Sequence, residues 1–148
     1  MKRFSGMKNT HKLKTLHIQT LAVAKLKRDF DLSHPAVPIE LKEIVSNTEL
    51  THLYLTLKED ILWVAKRKQV AKFDLTKLNN LILTYMTPAK GAGLISIMAR
   101  AKDAEHYITI LDYGVYKDKV LSSATETANE IGRFLGYRVE TQNWGADC

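Results

Sequence analysis

Apolar and polar positions alternate with a period of two through much of the chain after residue 50. In HLYLTL (52–57) three leucines alternate with polar or aromatic residues, and this period places successive side chains on opposite faces of a strand. Five further segments follow, separated by stretches rich in turn-forming residues. They are ILWVAKR (61–67), QVAKFDL (69–75), NLILTYM (80–86), LISIMARA (94–101) and YITILDY (107–113). Because no helix-length connection separates them, the pattern predicts antiparallel strands in a curved sheet or open barrel.

A helical pattern replaces the alternation near residue 123. Four apolar residues recur at intervals of four, three and four up to Leu135, and Gly136 follows where helices commonly end. Ser123 and Glu126 have the spacing of a capping box, so we predict a helix from about Ser123 to Leu135. The segment YRVETQ (137–142) is compatible with one more strand. The predicted class is α+β, with six or seven antiparallel strands and a C-terminal amphipathic helix.

The first 37 residues differ from the remainder in charge and in pattern. Residues 1–28 contain eight cations and no acid, whereas residues 29–148 carry 14 basic and 16 acidic residues. Residues 13–28 favour a helix, although Leu16, Ile18 and Thr20 also alternate as in a strand. Two prolines then precede an apolar pattern typical of a short helix or an edge strand. We therefore predict a basic N-terminal arm or helix and linker over residues 1–37 and a single domain over residues 38–148.

Composition limits the class of protein. The chain has 148 residues and a net charge of +6, and its one cysteine, Cys148, leaves no disulfide framework or thiolate metal site. The longest mostly apolar run without charge, residues 91–99, is shorter than the roughly 18 residues that a membrane span needs. A cytoplasmic location is expected. A mitochondrial location is the alternative if the acid-free N-terminus is a presequence.

No arrangement of residues indicates catalysis or metal binding. The five histidines are scattered, without a pair at i, i+4 spacing. Asp103, Glu105 and His106 lie in one predicted turn, where carboxylates are usually hydrated. Gly91 and Gly93 match half of a dinucleotide-binding fingerprint, but a strand-like segment follows them where a helix is required. The sequence therefore predicts no catalytic residue, no metal ligand and no cofactor, and a protein that is not an enzyme.

Basic residues are the candidates for binding an anionic ligand. The stretch AKRKQVAKFDL (65–75) places three cations at a predicted hairpin tip, where they either contact a phosphate-bearing partner or keep the hairpin solvated. The solvated tip is the favoured interpretation, and the N-terminal arm is the stronger candidate for contacts with anions. The candidate residues are Lys12, Lys14, Lys25, Lys27, Arg28, Lys66, Arg67 and Lys68.

The order of the elements resembles the pleckstrin-homology-like fold of bacterial domains of unknown function. The residues that carry the resemblance are LYLTLKEDILWVAKRKQVAKFDLTKLNNLIL (53–83) and SSATETANEIGRFLG (122–136). The resemblance implies a scaffold that binds proteins, peptides or lipid headgroups without catalysis. Members that bind phosphoinositides place cations between their first two strands, whereas the basic turn here joins the second and third.

Two functions from different classes follow. The first is a non-enzymatic binding or assembly module, with a protein partner or a second copy of the chain as its partner. The alternative is a nucleic-acid-associated protein, such as a phage, ribosomal or organellar factor, whose basic N-terminal arm supplies the affinity. A membrane surface is a weaker candidate partner.

Overall fold

The structure is a computed structural model, which describes residues 13–103 and 105–146. It contains ten strands, two α-helices and one short 3₁₀ helix among these residues. The strands are β1 (Lys14–Gln19), β2 (Lys25–Leu26), β3 (Phe30–Asp31), β4 (His52–Lys58), β5 (Ile61–Lys66), β6 (Gln69–Asp74), β7 (Leu78–Thr87), β8 (Leu94–Ala101), β9 (Tyr107–Gly114) and β10 (Val139–Ala146). The helices are α1 (Ile39–Ile44), the 3₁₀ helix (Leu75–Lys77) and α2 (Asp118–Leu135).

The strands form two five-stranded sheets, with orders β1-β4-β5-β6-β3 (sheet A) and β10-β7-β8-β9-β2 (sheet B). All neighbouring strands are antiparallel except β10, which runs parallel to β7. The predicted α+β class is confirmed, and so are the six predicted strands, which are β4 to β9. Within the described residues the two sheets stay separate and do not close into a barrel.

Two clusters of buried side chains stabilise the fold. The larger lies between the two sheets and includes Leu55, Val64, Leu83 and Ile97, together with the apolar face of α2. The smaller lies on the outer face of sheet A, where α1 covers it. Strand β4 is buried on both faces at residues 53–56, because its leucines contact the first cluster and Tyr54 contacts the second.

The C-terminal helix ends as predicted but begins earlier. Gly136 has a φ of 72° and ends α2 in the left-handed conformation, which glycine adopts without steric cost. The predicted start at Ser123 is wrong, because α2 begins at Asp118 and Ser123 lies inside it. The apolar stripe extends back to the buried Val120, so packing on the core continues the helix beyond the apparent capping box. The segment after α2 forms β10, as its pattern indicated.

The structure shows that the helix predicted for residues 13–28 is wrong. Residues 14–19 form strand β1 and not a helix, and each of them pairs with a residue of β4 between His52 and Leu57. Pairing with β4 buries Ile18 against the core, while His17 points to the other face. Because the edge of β4 is available for pairing, these residues adopt the strand conformation that their alternating pattern allows. Strands β2 and β3 then join sheet B and sheet A. The described part of the predicted arm is therefore built into both sheets.

The short helix predicted after the two prolines is confirmed as α1, which follows Pro38. Neither this helix nor any other in the described ranges is long and apolar enough to cross a membrane.

Candidate ligand-binding cleft

The predicted basic residues lie in several places along the fold. Lys14 lines one cleft together with Lys102, Lys27 lines a cleft between the two sheets, and Lys68 lines a third cleft together with Lys42. Lys25 is exposed on β2. Arg28 is exposed and forms an ion pair of 3.4 Å with Asp31. Lys12 lies outside the described residues.

Lys66 does not belong to an exposed tip. Its side chain is only 3% exposed, and its Nζ donates hydrogen bonds to the carbonyl oxygens of Leu21 and Ala22, at 3.2 Å each, and of Ala24. Burial lowers the pKa of Lys66 to about 8. The solvated-tip interpretation is therefore wrong for this residue, which fastens the β1–β2 connection to sheet A. Arg67 and Lys68 are exposed in the turn, as that interpretation expects.

The cleft between the sheets exists because two short strands leave longer ones partly unpaired. Strand β3 pairs with β6 only at residues 69 and 70, and β2 pairs with β9 only at residues 111 and 112. The remaining parts of β6 and β9 face an opening of about 470 Å³. This volume is within the range of small-molecule sites. Its lining residues are Lys27, Asp29, Lys72, Phe73, Asp74, Lys77, Leu78, Tyr107, Ile108 and Thr109.

Apolar side chains provide the inner surface of this inter-sheet cleft. Phe73 and Leu78 are 7% and 3% exposed and belong to the main core. Tyr107 and Ile108, on the β9 side, are each 38% exposed. Exposed apolar side chains next to an apolar floor lose contact with water when a ligand covers them, which favours binding of a group with apolar surface.

The rim of the inter-sheet cleft carries three lysines and two aspartates. Both carboxylates accept hydrogen bonds within the protein: Asp29 Oδ2 from the backbone N–H of Lys72 (3.0 Å), and Asp74 Oδ1 from the backbone and side chain of Thr76 (3.0 and 2.7 Å). The bonds from Thr76 hold the pKa of Asp74 below its usual value, and the nearby lysines add to this effect. Both aspartates at the rim therefore accept hydrogen bonds from groups of the protein itself.

The lysines of the rim differ in their contacts. Lys72 Nζ lies 5.4 Å from the ring centroid of Trp63, on the outer face of sheet A. Lys27 and Lys77 are exposed, and neither forms an ion pair among residues 13–103 and 105–146. These two ammonium groups are consequently the rim charges most available to an external anion.

The two candidate catalytic residues of the β8–β9 turn, Asp103 and His106, form an exposed pair. His106 Nδ1 lies 2.8 Å from Asp103 Oδ2, but both side chains are more than half exposed. Asp112 instead accepts a hydrogen bond from the backbone N–H of Gly114. In the described part of the chain, no group of three or more histidine, cysteine or acidic side chains is placed to hold a metal ion.

Of the residues that line the inter-sheet cleft, only Lys27 was predicted from the sequence to contact a ligand. Lys72 lies in the basic stretch 65–75 but was not among the predicted contacts, and Tyr107 lies in a segment that was predicted only as a strand. The cleft brings together three separate segments, and no local pattern indicates that they meet.

Comparison with known proteins assigns neither the fold nor the site to a family. No protein-family model, no curated protein and no solved structure that was compared with the chain matches it.

Proposed function

We propose that this protein is a non-enzymatic binding module on a pleckstrin-homology-like scaffold, and that it binds an anionic ligand with an apolar portion in the inter-sheet cleft. The observation that carries the proposal is the position of Lys27 and Lys77, which form no ion pair with any residue that the structure describes, at the rim of an opening floored by Phe73 and Leu78. An anion placed there gains charge-assisted contacts, while its apolar part covers Tyr107 and Ile108.

The scaffold assignment is supported by the order of the elements. Strands β4 to β6 and β7 to β9 form two successive antiparallel meanders, and α2 follows them and packs into the core between the sheets. The chain adds three N-terminal strands and a parallel strand, β10, after the helix. The short β2 and β3 create the cleft by leaving β9 and β6 partly unpaired, so the additions to the scaffold shape the proposed site.

Fluorescence titration with 8-anilinonaphthalene-1-sulfonate tests the proposal, since this probe combines a sulfonate with apolar rings. We expect the double variant Lys27→Ser, Lys77→Ser to bind about tenfold more weakly than the native chain, because two charged contacts are lost at a partly exposed site. The matched control is Arg67→Ser, Lys68→Ser, which removes the same charge from exposed residues outside the lining of this cleft. Equal weakening in both variants, or none in either, would contradict the proposal.

The N-terminal segment supports a second candidate, association with nucleic acid. Lys25 and Lys27 are both exposed, next to the exposed Arg28, where the chain crosses from sheet B to sheet A. Closely spaced cations on an ordered segment are suited to contacts with phosphates. This function predicts affinity for a DNA or RNA oligonucleotide that falls steeply as salt rises and is lost in Lys25→Ser, Lys27→Ser, Arg28→Ser. Affinity that does not depend on salt, or no binding at low salt, would exclude it.

A further inference from the structure

An open strand edge forms one wall of the inter-sheet cleft. Strand β9 begins at Tyr107, and β2 pairs with it only at residues 111 and 112, so no strand of the described chain pairs with residues 107–110 on this side. Unpaired edges accept an added strand unless charges, proline or a covering segment prevents it. Residues 107–110 are tyrosine, isoleucine, threonine and isoleucine, which favour strands and include neither a charge nor a proline.

Backbone groups of Tyr107 and Thr109 point into the inter-sheet cleft. On the β8 side, the N–H of Ala101 donates to the carbonyl of His106 at 2.9 Å, and the three residue pairs that follow are in regular register. Alternate residues of an antiparallel strand direct their N–H and C=O groups to opposite sides. Ile108 therefore bonds to β8, whereas Tyr107 and Thr109 present their backbone donors and acceptors to the cleft.

The space beside β9 already holds a strand at one end. Strand β2 pairs with β9 and also lies beside β6, which forms the opposite wall. It runs antiparallel to β9, towards residues 107–110, before the chain turns away into β3. On the β6 wall, the backbone N–H of Lys72 already donates to Asp29 Oδ2. A strand that continued the direction of β2 into the cleft would therefore bond to β9.

The side chains around this edge indicate the chemistry of such a strand. Lys27 and Lys77 form no ion pair with any described residue, and Phe73 and Leu78 provide an apolar floor. Successive side chains of a strand point to opposite faces. A strand in which acidic and apolar residues alternate would therefore present carboxylates to one side and apolar groups to the other.

We propose that the cleft binds an extended acidic segment of a partner protein, which adds to β9 as an antiparallel strand. The backbone of the segment bonds to Tyr107 and Thr109, which supplies affinity, and its alternate side chains supply specificity. Its carboxylates contact Lys27 and Lys77, while its apolar side chains cover the floor. This inference rests on the proposed function and narrows the anionic ligand to a peptide.

Fluorescence anisotropy with a labelled peptide of alternating valine and glutamate tests the inference on the intact chain. We expect this peptide to bind, and a peptide of alternating valine and lysine to bind at least about tenfold more weakly, because the rim carries the unpaired lysines. Lys27→Ser with Lys77→Ser should weaken binding of the glutamate peptide to a similar extent. The matched control Arg67→Ser with Lys68→Ser should bind it as the native chain does. Equal binding of the two peptides would overturn the proposal.

Amide hydrogen exchange, followed by nuclear magnetic resonance on the native chain, tests for strand addition itself. The amides of Tyr107 and Thr109 should exchange at least about tenfold more slowly when the glutamate peptide saturates the protein, while those of Arg67 and Lys68 should not change. Binding of 8-anilinonaphthalene-1-sulfonate without binding of the peptide, or peptide binding without this protection, would refute strand addition and leave the proposed function standing. Failure of both probes to bind would contradict both.

Discussion

Replacement of Lys66 by methionine tests whether a buried cation holds the N-terminal segment to the fold. The substitution keeps an unbranched apolar side chain and removes the ammonium group, which has three carbonyl acceptors in the β1–β2 connection. Ala24 is buried, whereas Leu21 and Ala22 are more exposed, so water can replace their bonds more readily. A buried carbonyl left without its donor costs about 1–3 kcal/mol. Because the lowered pKa of Lys66 shows that desolvation opposes the charged form, we expect the full loss, about 2 kcal/mol in the free energy of unfolding, at about pH 10, where the folded protein holds the neutral amine.

Urea denaturation followed by circular dichroism measures this change, and the neighbouring turn supplies the controls. Arg67→Met and Lys68→Met remove the same charge from exposed side chains and should alter the free energy of unfolding by less than about 0.5 kcal/mol. If at that pH Lys66→Met changes the free energy of unfolding as little as the two controls do, the buried amine of Lys66 does not stabilise the β1–β2 connection.

The same residue gives stability a defined dependence on pH. Burial lowers the pKa of Lys66 from 10.5 to about 8 in the folded protein. Between these values the unfolded chain binds a proton that the folded protein does not, so stability rises with pH through this window. The advantage of the native protein over Lys66→Met should therefore increase between pH 8 and pH 10.5, by about 2.5 kcal/mol. A constant or shrinking advantage would contradict the lowered pKa.

Three further changes test the packing and turns of the fold. Tyr113→Phe removes the hydroxyl that bonds to the buried Thr20 at 2.8 Å, and should lower the free energy of unfolding by about 1 kcal/mol in urea denaturation. Gly132→Ala should destabilise by about 1–2 kcal/mol although alanine favours helices, because a Cβ there would lie 2.7 Å from a side-chain carbon of β10; a gain in melting temperature would refute this packing. Glu59→Asn with Asp60→Gly should stabilise by about 1–2 kcal/mol, since both residues have positive φ in the two-residue turn between β4 and β5; an unchanged melting temperature would contradict the turn type.

Local patterns were sufficient for the central part of the fold. The alternation in residues 52–113 predicted six strands, and Gly136 predicted the end of α2. Both signals depend only on residues that are close in sequence, and the structure confirms both predictions. The start of α2 was missed because packing of Val120 on the core extends the helix beyond the apparent cap. The pattern of residues 13–28 is compatible with both a helix and a strand. The strand forms because the segment pairs with the edge of β4, which is distant in sequence.

The environments of individual side chains depended more on tertiary structure. For Lys66 a local signal existed, because a period of two places it on the same face as the buried Leu62 and Val64, and the run of neighbouring cations obscured it. For the inter-sheet cleft no such signal exists, since its lining comes from three segments. The hydrogen bond of 2.8 Å between the rings of His17 on β1 and His52 on β4 likewise follows from strand register and not from the spacing of the two residues along the chain.

The most direct test of the inter-sheet cleft is to map where an anionic, apolar ligand contacts the protein. Backbone amide shifts of ¹⁵N-labelled protein can be followed by nuclear magnetic resonance during titration with 8-anilinonaphthalene-1-sulfonate. We predict that the largest saturable shifts occur at Lys27, at residues 72–74 and at residues 107–109. Shifts centred instead on the Arg67–Lys68 turn or on α2, or small shifts spread over the whole surface, would show that this cleft is not the binding site.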